Sequence, residues 1–298
     1  MTFPDAVLLR NVFSSIVLPL ALVVGLTGAI AVQSGLLTTR GNGGPVPATV
    51  SIPGGRLEYR ESGEFFRNGL AVDAPMIKTL RQPLEIMKYQ VSAESYDQCV
   101  FEGSCARRDL PTSSRADLPV TGVSFDDAST YAHWLSDKTG EIWRLPTTEE
   151  LAFAAGSKYP DDALGIDPDS KNPALRWLAD YERETARKAS RLPHPQPYGS
   201  FGENDHGLAD FGGNIWEWTS TCLRRVMLDR YLKPISDAES CGIYITAGKH
   251  IAPLSSFIRE PKGGGCSAGA PPDNVGFRLV RDRRWYAPLL FAISGRPM

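Results

Sequence analysis

The chain has 298 residues, 42% of them hydrophobic and 22% charged, with a formal net charge of −2. This is ordinary globular make-up with material for one large core. The charge leaves no electrostatic footprint for nucleic acid, and no Lys/Arg run, internal repeat or heptad pattern is present.

The first element is apolar. Val12 to Val32 carries no charge, and a run of ~20 such residues is enough to cross a bilayer as a helix. Arg10 precedes the run and no Lys or Arg follows before Gln33, which favours a cytoplasmic N-terminus. Pro19, Gly25, Gly28 and the lack of a polar face argue against a buried soluble helix. Residues 1–37 are therefore expected to be a membrane anchor or uncleaved signal segment. Cleavage is the alternative, because Ala29-Ile-Ala31 has the small residues of a signal cleavage site. Either way the remainder lies outside the cytoplasm, anchored in a bacterial periplasm or secreted. Residues 38–50 are a Gly/Pro linker. One domain is expected over 51–281, with a tail over 282–298 that the sequence does not place.

Within the domain, Arg56–Arg60 and Leu84–Val91 partly alternate polar and apolar residues and read as strands. Ser92 can cap a helix through Tyr96, Cys99 and Val100 that stops at Gly103. Ser124 with Asp127 forms a capping-box pattern. Ala128, Tyr131, Ala132 and Leu135 then recur at helical spacing up to Gly140. Ile142–Leu145 is a short strand. Thr147 with Glu150 is a second capping box, ahead of Leu151, Ala154 and Ala155, with Gly156 as the stop. From Ser157 to Pro197 the chain is polar and punctuated by proline, with a short element at Trp177–Tyr181. Short strands follow near Gly242–Thr246 and Val275–Val280. Early helices, late strands and much loop give an α+β class.

Export makes the five cysteines readable. Cys99 and Cys105, at a helix end and its following loop, are expected to form a local disulfide. Cys222–Cys241 is the preferred second bridge, leaving Cys266 free. Cys241–Cys266 is the alternative, and spacing does not decide between them.

The densest segment is Tyr198–Thr219, which holds Asp210-Phe-Gly-Gly-Asn-Ile-Trp-Glu-Trp218. Together with Leu84–Ser92, Pro119–Ala128, Arg144–Ala155 and Asn274-Val-Gly-Phe-Arg278, in that order, it resembles the formylglycine-generating enzyme (sulfatase-modifying factor) family. The resemblance implies that family's variant of the C-type lectin fold. It also implies a structural calcium ion, with side chains from Asp210 and Glu217 and carbonyls from Gly213 and Ile215. Calcium takes six to eight oxygen ligands, which carboxylates on a tight turn can supply. The alternative is a metal-free turn whose polar groups bond the backbone. The resemblance further implies a substrate groove at Trp216 and Asn274, with Trp216 the more exposed of the two motif tryptophans. Phe257–Arg278 is similar to the NirV-like subgroup encoded beside copper nitrite reductase.

The family's oxidation uses two thiolates that hold copper(I), a soft ion on soft ligands. The corresponding stretch here, Gly248–Arg259, has no cysteine. True formylglycine generation is therefore not expected. Cys266 with His250 is the candidate for a rebuilt copper or iron site, although a half-cystine and a surface histidine are the plainer readings. Two functions remain open. One is maturation or oxidation of a periplasmic protein or small molecule, with a nitrite-reductase link. The other is a non-catalytic, calcium-stabilised binding module.

Overall fold

The computed structural model describes residues 44–109, 113–167, 169–189, 192, 194–263 and 272–294. The expected anchor over 1–37 and Cys266 lie outside the described residues. Among the described residues no helix is long and apolar enough to cross a membrane.

The first half of the domain is strand-rich, with β1 (Thr49–Ile52), β2 (Gly55–Arg60), β3 (Glu64–Arg67), β4 (Leu70–Val72), β5 (Met76–Arg81) and β6 (Leu84–Met87). Helices α1 (Ala93–Phe101) and α2 (Phe125–Thr139), strand β7 (Trp143–Arg144), and helices α3 (Thr148–Ala155) and α4 (Pro173–Ala189) follow. The chain then forms β8 (Trp216–Leu228), β9 (Pro234–Ala247), β10 (Ile251–Ser255), β11 (Val275–Gly276), β12 (Val280–Arg281) and α5 (Ala287–Ser294). The class is α+β.

The helix starts follow their local chemistry. Ser92 Oγ accepts the Ser95 N–H, and both expected capping boxes, Ser124/Asp127 and Thr147/Glu150, are closed in both directions. Such caps satisfy N–H groups that a helix start leaves orphaned, at about 1 kcal/mol each. Gly140 ends α2 at φ 72°, a conformation a side chain would strain. Asp127 and Glu150 do a second job. Asp127 takes two hydrogen bonds from Arg259 (2.7 and 2.8 Å), and Glu150 takes two from Arg144 (both 2.7 Å).

Two larger sheets share the core, and β2 pairs with β5 in a third, two-stranded sheet that adds Leu57. One has the order β1-β6-β12-β7. The other runs β10-β9-β8-β3-β4, and β11 also pairs with β8. The thirteen-residue β8 is its spine. One edge carries β9 in antiparallel register; the other carries β11 at its start (Val275 opposite Trp216) and β3 at its end (Glu64 opposite Arg225). A main core packs α1 and α2 against Trp216, Trp218, Phe277 and Leu279, and a second packs α3 against the first sheet.

Several expectations change. Trp216–Glu217–Trp218, to which the sequence assigned no element, opens a long strand. The short element at Trp177–Tyr181 is part of the seventeen-residue α4. β1 begins at Thr49, inside the expected linker, because its pairing with β6 gives the backbone hydrogen-bond partners. The unplaced tail contains α5, whose Phe291 ring lies 4.7 Å from the His133 ring on α2.

The structure joins Cys99 to Cys105 and Cys222 to Cys241. The first bridge closes the turn after α1, and the second links β8 to β9.

Candidate functional site

The two most distinctive motifs meet in the interior. Glu217 and Arg278 are both fully buried and form a two-point ion pair (Nε–Oε2 2.6 Å, Nη2–Oε1 2.7 Å). Gln90 Nε2 donates to the same carboxylate at 2.8 Å. Arg278 also donates to the carbonyls of Lys88 (2.9 Å), Ala209 (2.9 Å) and Met87 (3.3 Å). One guanidinium thus ties β8, the Asp210 turn and the chain after β6 together. A planar fork of five donors suits such a junction in a way that a lysine does not.

Asp210 has φ 59° and is fully buried. Its two oxygens accept the backbone N–H groups of Phe201 (2.8 Å) and Gly199 (2.7 Å). Asn214 makes a paired contact with the Gln196 backbone, accepting its N–H at 2.8 Å and donating to its carbonyl at 2.7 Å. Phe201 fills the place a Cβ on Gly213 would occupy, at 2.4 Å.

The calcium expectation on Asp210, Gly213, Ile215 and Glu217 does not fit this geometry. Glu217 already faces a buried guanidinium, and Asp210 is committed to two backbone donors. A divalent ion at Glu217 would sit against the Arg278 charge in a poorly screened interior. The cation that neutralises Glu217 is Arg278, and the turn is held by hydrogen bonds.

Trp216 is the less buried of the two motif tryptophans, but neither is exposed. It is 4% exposed and Trp218 is fully buried. Trp216 Nε1 donates to the His250 carbonyl (3.1 Å), and its backbone N–H donates to the Asn274 carbonyl (2.9 Å). Trp218 Nε1 donates to the Val123 carbonyl (3.0 Å). His250 is buried as well, with its ring edge-on to Trp216 at 5.0 Å. That corrects the reading of a surface histidine. Asn274 is buried and donates to the Leu192 carbonyl (3.0 Å). The structure therefore brings Trp216, His250 and Asn274 together as a packed wall rather than an open groove.

Two charged residues beside that wall were not singled out from the sequence. Asp273 accepts the Leu192 N–H at 3.0 Å. Burial pulls the Lys249 ammonium below its ordinary range, and the Asp273 charge opposes the shift. Lys249 stands between Gly248 and His250. Asp273 stood next to the Asn274 motif, but no pattern linked it to Leu192.

The strand that replaces the cysteine-bearing segment has two faces. Ala252 and Leu254 are fully buried in the core. Ile251 and Pro253 line a cavity of about 330 Å³ on the other side, with Phe65, Val72 and Ile245 also on its wall. Arg60, Glu61, Ser62, Glu64, Asp73, Asp162 and Arg183 supply its polar groups. Arg60 bonds the Asp161 carboxylate, Asp73 accepts the Leu164 and Gly165 N–H groups, and Asp162 accepts the Ile251 N–H. A cavity that sets fixed polar groups beside an apolar wall is suited to binding. It has no thiol among its lining residues.

Residues 33–283 match the family described as "Sulfatase-modifying factor enzyme 1-like domain". The chain belongs to that family. It is 30% identical over 204 residues to the formylglycine-generating enzyme of Mycobacterium tuberculosis, a match covering 60% of this chain and 64% of that protein. It is 33% identical over 130 residues to the formylglycine-generating enzyme of Streptomyces coelicolor, covering 39% and 35%. The chain thus spans less than two thirds of the length of these enzymes. The inactive C-alpha-formylglycine-generating enzyme 2 of Mus musculus is 30% identical over 284 residues, covering 78% of this chain and 85% of that one. Among solved structures, PvdO from Pseudomonas aeruginosa superposes with a TM-score of 0.50 at 20% identity, covering 79% and 94%. At that identity the likeness speaks for the fold alone.

Proposed function

We propose that this protein is an exported, membrane-anchored sulfatase-modifying-factor-like domain that binds a protein or small-molecule partner and does not form formylglycine. One observation carries the reading. The Gly248–Arg259 segment, where the family resemblance calls for a thiolate pair, offers none. Its strand alternates between sealed core positions and the wall of a thiol-free cavity. Copper(I) chemistry of the family's kind has no soft ligands there. The mouse relative's designation as inactive supports the same reading. The apolar run Val12–Val32 supports anchoring, with the domain outside the cytoplasm. The role is recruitment during maturation of a periplasmic protein, and nitrite reductase remains a named candidate on the strength of Phe257–Arg278.

The test uses purified protein with disulfides intact, loaded anaerobically with copper(I). It is then exposed to air with a cysteine-containing sulfatase peptide. The expected result is unchanged peptide cysteine by mass spectrometry. Conversion of that cysteine to an aldehyde overturns the proposal. So does stoichiometric copper or iron that is lost in Cys266→Ala or His250→Ala, because it restores the oxidase reading.

A further inference from the structure

The Cys222–Cys241 bridge differs from the other disulfide in its surroundings. Cys99 and Cys105 are both buried. Cys241 is exposed on β9, and Cys222 is only 8% exposed on β8. Glu239 stands two residues before Cys241. On a strand that spacing puts both side chains on one face. The two sulfurs and a Glu239 carboxylate oxygen all lie within 4.8 Å of one another. Among the described residues this is the one group of three or more His, Cys, Asp or Glu side chains close enough to hold a metal ion.

The cysteines do not need their bond to stay adjacent. β8 and β9 pair from Glu217–Ala247 to Leu228–Pro234, with register shifts on both sides of Cys222. Those shifts turn Cys222 toward Cys241, at a Cα separation of 4.8 Å. Arg224 on β8 is ion-paired to Asp237 on β9 and to Glu61, which clamps the strands beside the bridge.

We propose that Cys222, Cys241 and Glu239 form a redox-gated zinc(II) site. Oxidised, the two cysteines cross-link the ribbon. Reduced, they supply two thiolates, and Glu239 supplies a carboxylate oxygen. Zinc takes sulfur and carboxylate ligands in tetrahedral geometry, and three protein ligands leave a fourth position for water or a substrate atom. Exposure of Cys241 and Glu239 places that position toward solvent.

The gating step is thiol–disulfide exchange with a dithiol reductant. A reductant thiolate attacks the exposed Cys241 sulfur, because access selects the sulfur attacked. The S–S bond breaks and Cys222 leaves as a thiolate. The reductant's second thiol then displaces Cys241 and closes the reductant's own disulfide. The two electrons reside on Cys222 and Cys241, which take up two protons. Zinc binding releases those protons to solvent. This inference does not rest on the proposed partner-binding role, and it uses neither Cys266 nor His250.

The experiment takes the full-length protein with Cys266→Ser, partially reduced with a phosphine. Mass mapping of alkylated thiols is expected to show Cys222 and Cys241 free while Cys99–Cys105 stays bonded. Far-UV circular dichroism is expected to be unchanged. Cobalt(II), standing in for zinc, then produces a thiolate charge-transfer band that saturates at one equivalent and is erased by zinc. Cys222→Ser and Cys241→Ser each abolish the band. Glu239→Gln keeps it but weakens cobalt affinity by about tenfold or more, in the range seen when a supporting metal contact is removed. The proposal is overturned by Cys99–Cys105 reducing first, by unfolding on reduction, or by no one-equivalent band with both thiols shown free. A band that survives either serine variant, or Glu239→Gln affinity equal to the parent's, also overturns it. The same measurement on the protein with native Cys266 must give the same stoichiometry.

Discussion

Replacing Arg278 with methionine is expected to remove most of the stability of the domain. The substitution leaves Glu217 buried, charged and held by Gln90 alone, since both other contacts to its carboxylate come from Arg278. Removing one partner of a buried pair costs about 3–5 kcal/mol. The carbonyls of Met87, Lys88 and Ala209 lose a donor as well, and an orphaned buried polar group costs about 1–3 kcal/mol. These terms overlap in one network and do not add fully. A loss of about 5 kcal/mol or more is expected, against a total stability of about 5–15 kcal/mol for a typical domain. Glu217→Gln is the gentler partner. It leaves Arg278 bonded to all three carbonyls and still offers one acceptor, so about 3 kcal/mol is expected. Urea titration with disulfides intact, followed by tryptophan fluorescence, measures both losses as shifts in midpoint at constant slope. The reasoning fails if Arg278→Met costs less than about 2 kcal/mol. It also fails if Glu217→Gln costs as much as Arg278→Met.

Further outcomes follow from the same geometry. Millimolar calcium is expected to stabilise the protein by less than about 0.5 kcal/mol in the same titration. An ion bound at a hundred times its Kd would add about 2.7 kcal/mol, and that result would reinstate the Asp210–Glu217 site. Gly276→Ala is expected to cost about 1–3 kcal/mol or more, because its Cβ would lie 2.1 Å from the Val120 carbonyl oxygen and 2.7 Å from Ile215; a wild-type melting temperature would refute this. Hydrogen bonds from Lys138, then Trp134 and Gln98, hold the Glu102 carboxyl at about 2, below its ordinary 4.5. A depressed carboxyl stabilises the fold above its unfolded value and loses that contribution as pH falls toward the folded one. Lys138→Met should therefore flatten the pH dependence of stability between 4.5 and about 2, and an unchanged slope would count against the contact.

What was readable in the sequence was local. Ser92, Ser124 and Thr147 mark helix starts through hydrogen bonds that reach only three residues ahead, so residue type and spacing were enough. α4 was readable in part: Asn172 before Pro173 is a helix start, and Asn172 Oδ1 accepts the Ala174 N–H. The proline-rich surroundings hid it. Trp216–Glu217–Trp218 was not legible as a strand because all three residues are buried, so the alternation of a half-exposed strand is missing. Charge pairing was less legible. Asp210 and Glu217 were read as a pair of oxygen donors awaiting a cation, and Glu217's cation was already in the chain, 61 residues further on in Arg278. Nothing in residue spacing reveals a partner at that distance. His250 and Trp216 were misplaced for a related reason: a polar edge does not keep a side chain at the surface when a backbone carbonyl can satisfy it.

The position of β11 and β12 bears on the order in which the chain is made. Val275–Gly276 completes one sheet beside Trp216, and Val280–Arg281 lies between β6 and β7 in the other. Both sheets therefore wait for the last stretch of the domain to emerge, and so does the arginine that neutralises Glu217. Until then a nascent chain holds a buried-type carboxylate without its cation and two sheets each short of a strand. Closure of both sheets, and neutralisation of the buried carboxylate, thus depend on the last stretch of the domain.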